Sequence, residues 1–436
     1  MLTAFFRAFR TPDLRRKIFF TVAIMALFRF GSYIPTPGID YAAVQRCIDL
    51  SSNSDSTGLY ALVNLFSGGA LLQLSIFALG IMPYITASII IQLLTVVIPR
   101  FEALKEEGQS GTAKLTQYTR YLTIGLAVLQ STTYVAISRT QGGLFTNCSE
   151  TLIPNDSLFT LGVMVLTMTA GTGLIMWLGE LVTEKGIGNG MSLLIFTSIA
   201  ASFPSALWTI KTQRGFNTFF LVIAIGLLIM AAVIFVEQSQ RRIPVQYAKR
   251  QVGRRAYGGT TTYIPIKVNM AGVIPVIFAS SLLYLPALIA QFQGQNSTAG
   301  WVTWINDHLV RGDHPIYITA YFVLIVFFTY FYVAITFNPD EVAENMKKYG
   351  GFIPGIRAGR PTADYLEYVL SRITLAGALY LGMVALVPLI ALILVDANQN
   401  FPFGGTSILI VVGVGLETVK QIESQLQQRH YEGFLR

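Results

Sequence analysis

Charge is what this sequence has least of. Asp, Glu, Lys and Arg make up 12% of its 436 residues, about half the usual share of roughly a quarter in soluble domains. An ordinary water-soluble globular domain is excluded, because its surface would lack the charge to stay dissolved. Cysteine is nearly missing as well: Cys47 and Cys148 are the whole supply, too few for a disulfide scaffold, and two unremarkable cysteines in outer loops are the expected reading, with a disulfide between them the alternative. His308, His314 and His430 are the three histidines, and all lie outside the apolar runs. There is no GxxxxGK phosphate loop and no HExxH metal motif. The stretch Gly186-Ile187-Gly188-Asn189-Gly190 resembles a dinucleotide fingerprint only superficially, since it joins two apolar runs instead of a strand and a helix, and reads as a tight turn. No catalytic residue, cofactor site or metal site is expected.

Ionisable residues inside the apolar runs are equally scarce. Arg29 stands alone well inside one, whereas Glu180, Glu237, Asp396 and Glu417 sit at or near ends. Transport coupled to protons or sodium needs acids, histidines or unwound polar stretches at membrane depth. A proton relay has nothing to run on here, so energy for directed movement must come from outside the chain. Arg29 itself is expected to pair or to snorkel toward the outer face.

What is abundant is hydrophobicity, at 53% of residues. A span needs roughly 20 apolar residues to cross about 30 Å of hydrocarbon. Such runs lie near 18–36, 76–96, 118–138, 157–179, 190–208, 217–236, 270–292, 315–337 and 371–395, and a tenth begins at 404. That last run turns amphipathic after its apolar part, which predicts a helix leaving the membrane and continuing into water. The basic start lacks a short apolar core with a small-residue cleavage site, so the first span is expected to stay. The expected class is an all-α membrane protein of ten spans.

With both termini inside, the inner segments hold 25 of the 31 Lys and Arg. Outer loops keep Arg46, Arg139, Lys211, Arg214 and Arg311. The positive-inside rule then puts both ends in the cytoplasm. Topology alone explains basic inner loops, but not the density of 238–269, where Arg241, Arg242, Lys249, Arg250, Arg254, Arg255 and Lys267 occur without one acid. Alternation around Val245–Tyr247 and Thr261–Ile264, interrupted at Gly258-Gly259, predicts a hairpin or extended finger. A basic finger suits RNA phosphate or an acidic protein groove. A second inner loop, 338–372, mixes signs, with Lys347, Lys348 and Arg357 among its cations and a tight bend expected at Gly355-Ile356-Arg357.

GIMPYITAS at 80–88 and GVIPVIFAS at 272–280 share Gly, Pro, Ile, Ala and Ser at one spacing. They fall five spans apart, and an odd offset reverses the sense of traverse, as in an inverted repeat. Two halves of five helices are therefore expected, 1–212 and 213–436, with a pathway where they meet. Ahead of the first copy, the segment around 58–73 is apolar but short and is interrupted by Asn64, Ser67, Gly68, Gly69 and Gln73. It reads as a re-entrant half-helix within the body, or else as an amphipathic helix on the outer surface.

Longer strings then carry a family likeness. FSGGALLQLSIFALGIMPYITASIIIQLL, GELVTEKGIGNG, QYAKRQVGRRAY, KVNMAGVIPVIFASS, FNPDEVAENMKKYGGFIPGIRAGRPT and FGGTSILIVV together span nearly the whole chain, which thereby resembles the SecY family, central subunits of the bacterial protein-conducting channel. The resemblance implies a clamshell with an hourglass pore, a plug and a lateral gate between the second and third and the seventh and eighth spans. It implies a pore ring of Ile81, Ile85, Met191, Ile195, Ile277 and Ile410, with methionine where a branched aliphatic is usual. It implies a plug including Asn64, Phe66, Ser67, Gly68 and Gly69, and a gate involving Thr86, Ser88, Gln130, Asn269 and Leu285. It implies docking of SecA or the ribosome on Lys249, Arg250, Arg254, Arg255, Lys347, Lys348 and Arg357, partnership with SecE and with SecG, unfolded precursor polypeptides as cargo, and residence in the cytoplasmic membrane. A secondary transporter of small solutes and a poreless membrane scaffold are the competing readings.

Overall fold

The computed structural model describes residues 9, 11–51, 67–139, 150–247, 250–252, 255–257, 261–292, 300–305, 308–309, 314–395 and 405–432. Most of them are helical. α1 (Pro12–Gly31) opens with proline in its first turn, where the missing N–H costs nothing. A short α2 (Tyr41–Ser51) follows. α3 (Met82–Val97) ends at Ile98, which is extended because Pro99 comes next, and the chain bends by 104° into α4 (Pro99–Glu106). α5 (Gln109–Arg139) and α6 (Leu158–Lys185) are long apolar helices. α7 (Gly190–Gln238) is capped by Asn189 and broken at Gly215, whose φ of 84° lies in the left-handed region that favours glycine.

After α7 the chain forms strands. β1 (Gln240–Tyr247) pairs antiparallel with β4 (Thr261–Lys267), and β2 (Arg250–Val252) pairs with β3 (Arg255–Tyr257) between them. The expected finger is thus a hairpin. Then come α8 (Ile274–Phe292), α9 (Gly300–Ile305), α10 (Pro315–Thr336) and α11 (Pro339–Lys348). β5 (Gly351–Phe352), α12 (Arg360–Val395) and α13 (Gly405–Glu432) complete the chain. In α11, Asn338 caps the start, Asp340 and Glu341 fill the first turn and Lys347 and Lys348 the last, each sign at the favourable end of the helix dipole.

Sequence patterning did not foresee β5. It adds to β1 through Gln246 and Tyr247, so the finger and the second loop share one sheet of order β4-β1-β5. Ile243, Val245 and Ile266 face inward from it onto Met346, Ile353, Leu366 and Val369. The two loops therefore form one packed body.

Several expectations need correction. The second span begins at Met82, not 76: residues 68–81 run as turns. The described part of the expected half-helix, from Ser67 on, is mainly turns too, with positive φ at Gly68, Gly69 and Leu74. Its backbone is satisfied by the strand-like segment after α1, since Thr36 N–H donates to the Leu74 carbonyl at 3.0 Å and Ile76 N–H to the Ile34 carbonyl at 3.0 Å. Cys47 lies on α2, buried and disulfide-bonded, not in a loop as an ordinary thiol; Cys148 lies outside the described residues. The expected break between 208 and 217 is present at Gly215, where two helices meet across a kink with no longer loop between them. Among the described residues four helices are long and apolar enough to cross a membrane, five if α3 and α4 count as one broken span.

Candidate functional site

The internal repeat proves structural. Gly80 and Gly272 both have left-handed φ, 55° and 62°, and proline stands three residues on in each copy. Tyr84 and Ile85 N–H both donate to the Ile81 carbonyl, and Val276 and Ile277 N–H both donate to the Val273 carbonyl. The same turn launches α3 and α8, because glycine permits the reversal and proline favours the first helical turn. Ile85 and Ile277 thus take matching places.

Helices α1, α3, α6, α7, α8, α10, α12 and α13 enclose one apolar cluster. Ile81, Ile85, Ile195, Ile277 and Ile410 are all buried in it, and Met191 packs against it half-buried. The six residues expected to form a ring are brought together from sequence positions more than 300 apart. Met191 differs in direction: its sulfur occupies the notch beside Gly179 of α6, 2.4 Å from where a Cβ at Gly179 would stand.

α8 packs against both α3 and α5, which makes a seam. Of the residues expected at a gate, Thr86 on α3 and Gln130 on α5 are buried and Ser88 on α3 is half-buried. Thr86 Oγ1 donates to the Met82 carbonyl of its own helix at 3.0 Å, and Gln92 Nε2 donates to Ser88 Oγ at 3.3 Å. Asn269 precedes α8 and has partners that the sequence did not indicate. Its amide donates to Glu237 Oε1 at 2.6 Å and to the Gly272 carbonyl at 3.0 Å, so it ties the end of α7 to the root of α8. Leu285 lies on α8, its side chain outside the described set. Sequence reasoning missed a contact between neighbours of the seam helices: Lys105 of α4 donates to the Ile335 carbonyl at the end of α10, at 3.4 Å. A cation at an unsatisfied helix C-terminus is favourable.

Of the expected plug residues, Asn64 and Phe66 lie outside the described residues, and Ser67 is buried while its Oγ accepts from Leu71 N–H at 3.2 Å. On the finger, Arg250 and Arg255 sit on β2 and β3, whereas Lys249 and Arg254 lie outside the described residues. Lys347, Lys348 and Arg357 are exposed on the packed body below. The expected bend is present, with Gly355 at φ 85° and Thr362 Oγ1 donating to the Arg357 carbonyl at 2.8 Å. Burial and the nearby Lys267 ammonium hold the Lys420 amine of α13 below its ordinary pKa, with Glu237 and Glu423 opposing.

The family model that matches this chain is that of SecY, over residues 75–419. The chain belongs to the SecY family. Protein translocase subunits SecY from Streptomyces scabiei and from Mycobacterium tuberculosis strain H37Rv are 69% and 60% identical to it, over all of both chains in each case. A solved structure described as a protein-conducting channel superposes with a TM-score of 0.63 at 18% identity, covering 94% of this chain and 91% of that one. Sec61 in a canine ribosome-channel complex gives 0.60 at 17%, covering 94% and 91%. At those identities the structures attest the SecY fold alone.

Proposed function

We propose that this chain is the channel subunit of a passive conduit that carries unfolded polypeptides across a membrane and releases apolar segments sideways into it. The observation that carries the proposal is the convergence of Ile81, Ile85, Ile195, Ile277 and Ile410, with Met191, in one apolar cluster drawn from four helices. Such a ring dewets, so it blocks ions at rest without demanding any particular cargo sequence. Family membership supports protein translocation as the activity.

The finer reading has ten spans in two inverted halves, 1–212 and 213–436, with both termini in the cytoplasm. The segment near 58–73 is the plug. The seam of α8 against α3 and α5 is the lateral gate, with Thr86, Ser88, Gln130 and Leu285 along it. Interhelical hydrogen bonds in membranes average only about 0.6 kcal/mol, weak enough for a signal sequence to part them. An open gate sorts segments by partitioning, since a charge at mid-membrane costs about 2.5–3.5 kcal/mol and leucine nothing. SecA or a ribosome docks on the finger and the packed loop body, SecE and SecG brace the helices, and the site of work is the cytoplasmic membrane. The ribosome-bound Sec61 neighbour supports the ribosomal partner.

The test is reconstitution with SecE, SecA and ATP. A radiolabelled precursor should become protease-protected inside vesicles. Protection no greater than in empty vesicles would overturn the proposal, and counterflow of a small solute would favour a secondary transporter instead.

A further inference from the structure

The two copies of the repeated turn are pinned by different chemistry. Three residues before Gly80 stands Phe77, and three before Gly272 stands Asn269. Phe77 is buried and stacks on Phe28 of α1 with ring centres 5.9 Å apart, so the turn that launches α3 is held by an apolar contact. Asn269 is buried too, but it is held by a carboxylate. Glu237 stands one residue before the end of α7 and is half-buried. Its Oε1 accepts from Asn269 Nδ2 at 2.6 Å, and the same amide donates to the Gly272 carbonyl at 3.0 Å.

Both of those partners are acceptors, so the amide can lie only one way round. Its Oδ1 has no hydrogen-bond partner among the described residues, although it is buried. An unpaired buried acceptor costs free energy, and the stronger bond to a charged oxygen offsets it. The backbone around Asn269 is held as well. Val268 N–H donates to the Ser239 carbonyl at 3.0 Å and Ser239 N–H to the Val236 carbonyl at 3.0 Å, so the root of the finger leaves α7 without slack. Against α12, a Cβ at Gly377 would stand 2.5 Å from the Val268 carbonyl oxygen and 3.6 Å from Asn269 Cα. Backbone rests on backbone there.

Beyond this joint the chain has little room to absorb a displacement. Gly272, with φ 62°, is followed by the first turn of α8, in which Val276 and Ile277 N–H both donate to the Val273 carbonyl. Ile277 is buried in the central apolar cluster with Ile81, Ile85, Ile195 and Ile410. We infer that Glu237 is a positioning residue for the central ring: through Asn269 and the Gly272 turn it sets the start of α8 and so keeps Ile277 in the ring. This rests on the reading of the isoleucine cluster as the pore constriction.

The experiment measures resting ion efflux, at mildly alkaline pH, from vesicles holding the full chain with SecE and no precursor. Glu237→Leu leaves Asn269 without its charged acceptor and should raise efflux about tenfold, the scale on which a hydrogen bond to a charged group acts. Glu237→Gln keeps an acceptor for the amide and should stay within about twofold of the parent. Asn269→Asp sets two carboxylates against each other and should leak at least as much as Glu237→Leu. The exchanged pair, Glu237→Gln with Asn269→Asp, returns one amide donor and one carboxylate to the joint with the direction reversed, and should bring efflux back to within about threefold of the parent. It does not return a donor to the Gly272 carbonyl. Recovery therefore assigns the effect to the Glu237 bond, and no recovery overturns the proposal. A joint that served stability alone would lower the unfolding midpoint of Glu237→Leu in detergent and leave efflux at the parent's level, which overturns it equally. If Glu237→Leu does not accumulate as folded protein, Asn269→Asp against the exchanged pair carries the comparison. Ile410→Asn is the separate arm. If it stays tight, the ring reading fails and the positioning role with it; if it leaks while Glu237→Leu and Asn269→Asp stay tight, the ring stands and the positioning role is wrong.

Discussion

Single residues here act through what they exclude or hold. Ile410 is fully buried in the central cluster, where a polar atom would invite water into the constriction. Ile410→Asn should therefore increase resting ion leak and let precursors with weakened signal sequences pass, both measured in reconstituted vesicles. Gly171 is a packing residue of another kind. A Cβ there would meet the Ile76 carbonyl oxygen at 2.1 Å, and backbone cannot step aside as a side chain can. Gly171→Ala should cost about 1–3 kcal/mol, seen as a lower midpoint in thermal unfolding in detergent. The isoleucines could be nominated from sequence only because GxxPxIxAS occurs twice. The Gly171 contact had no sequence signal, since it joins α6 to an irregular turn far away in the chain.

At the scale of elements, the seam and the finger make separable predictions. Lys105 links α4, which packs on α3, to the last turn of α10, which packs on α8. Lys105→Met should ease opening, so that cysteines at 86 and 285 crosslink less in the resting channel than in its parent; equal crosslinking would assign Lys105 to the surface alone. Reversing Arg254 and Arg255 to Glu should weaken ribosome binding about tenfold or more at low salt. The gap should narrow toward 1 M salt, where the Debye length falls to about 3 Å. Alternation and the Gly258-Gly259 pair made the hairpin legible. β5 was not, because a two-residue strand carries no period and exists only by virtue of the β1 edge it joins.

For the whole molecule, the end that carries α2 is tied by more than packing. Cys47 is disulfide-bonded, Arg46 Nε and Nη2 both donate to Glu150 Oε2 at 3.1 and 2.8 Å, and Asp40 N–H donates to the Leu152 carbonyl at 3.0 Å. These join the segment after α1 to the one before α6. The ion pair is exposed and contributes little, so the disulfide should dominate. Cys47→Ser should lower stability by about 2–4 kcal/mol, and a reductant should do the same to the parent but not to the variant.

Membrane solvent, the hairpin finger and the repeated turn were determined by sequence, because each rests on composition or on a local period. Tertiary structure decided which groups meet: that Asn269 donates to Glu237, that Met191 turns toward Gly179, that Cys47 is bonded, and that Arg29 holds Gly68. Those are pairings across long separations. In a chain so poor in charge, a lone arginine says that it must have a partner, but only the packed helices say that the partner is a backbone carbonyl in a turn.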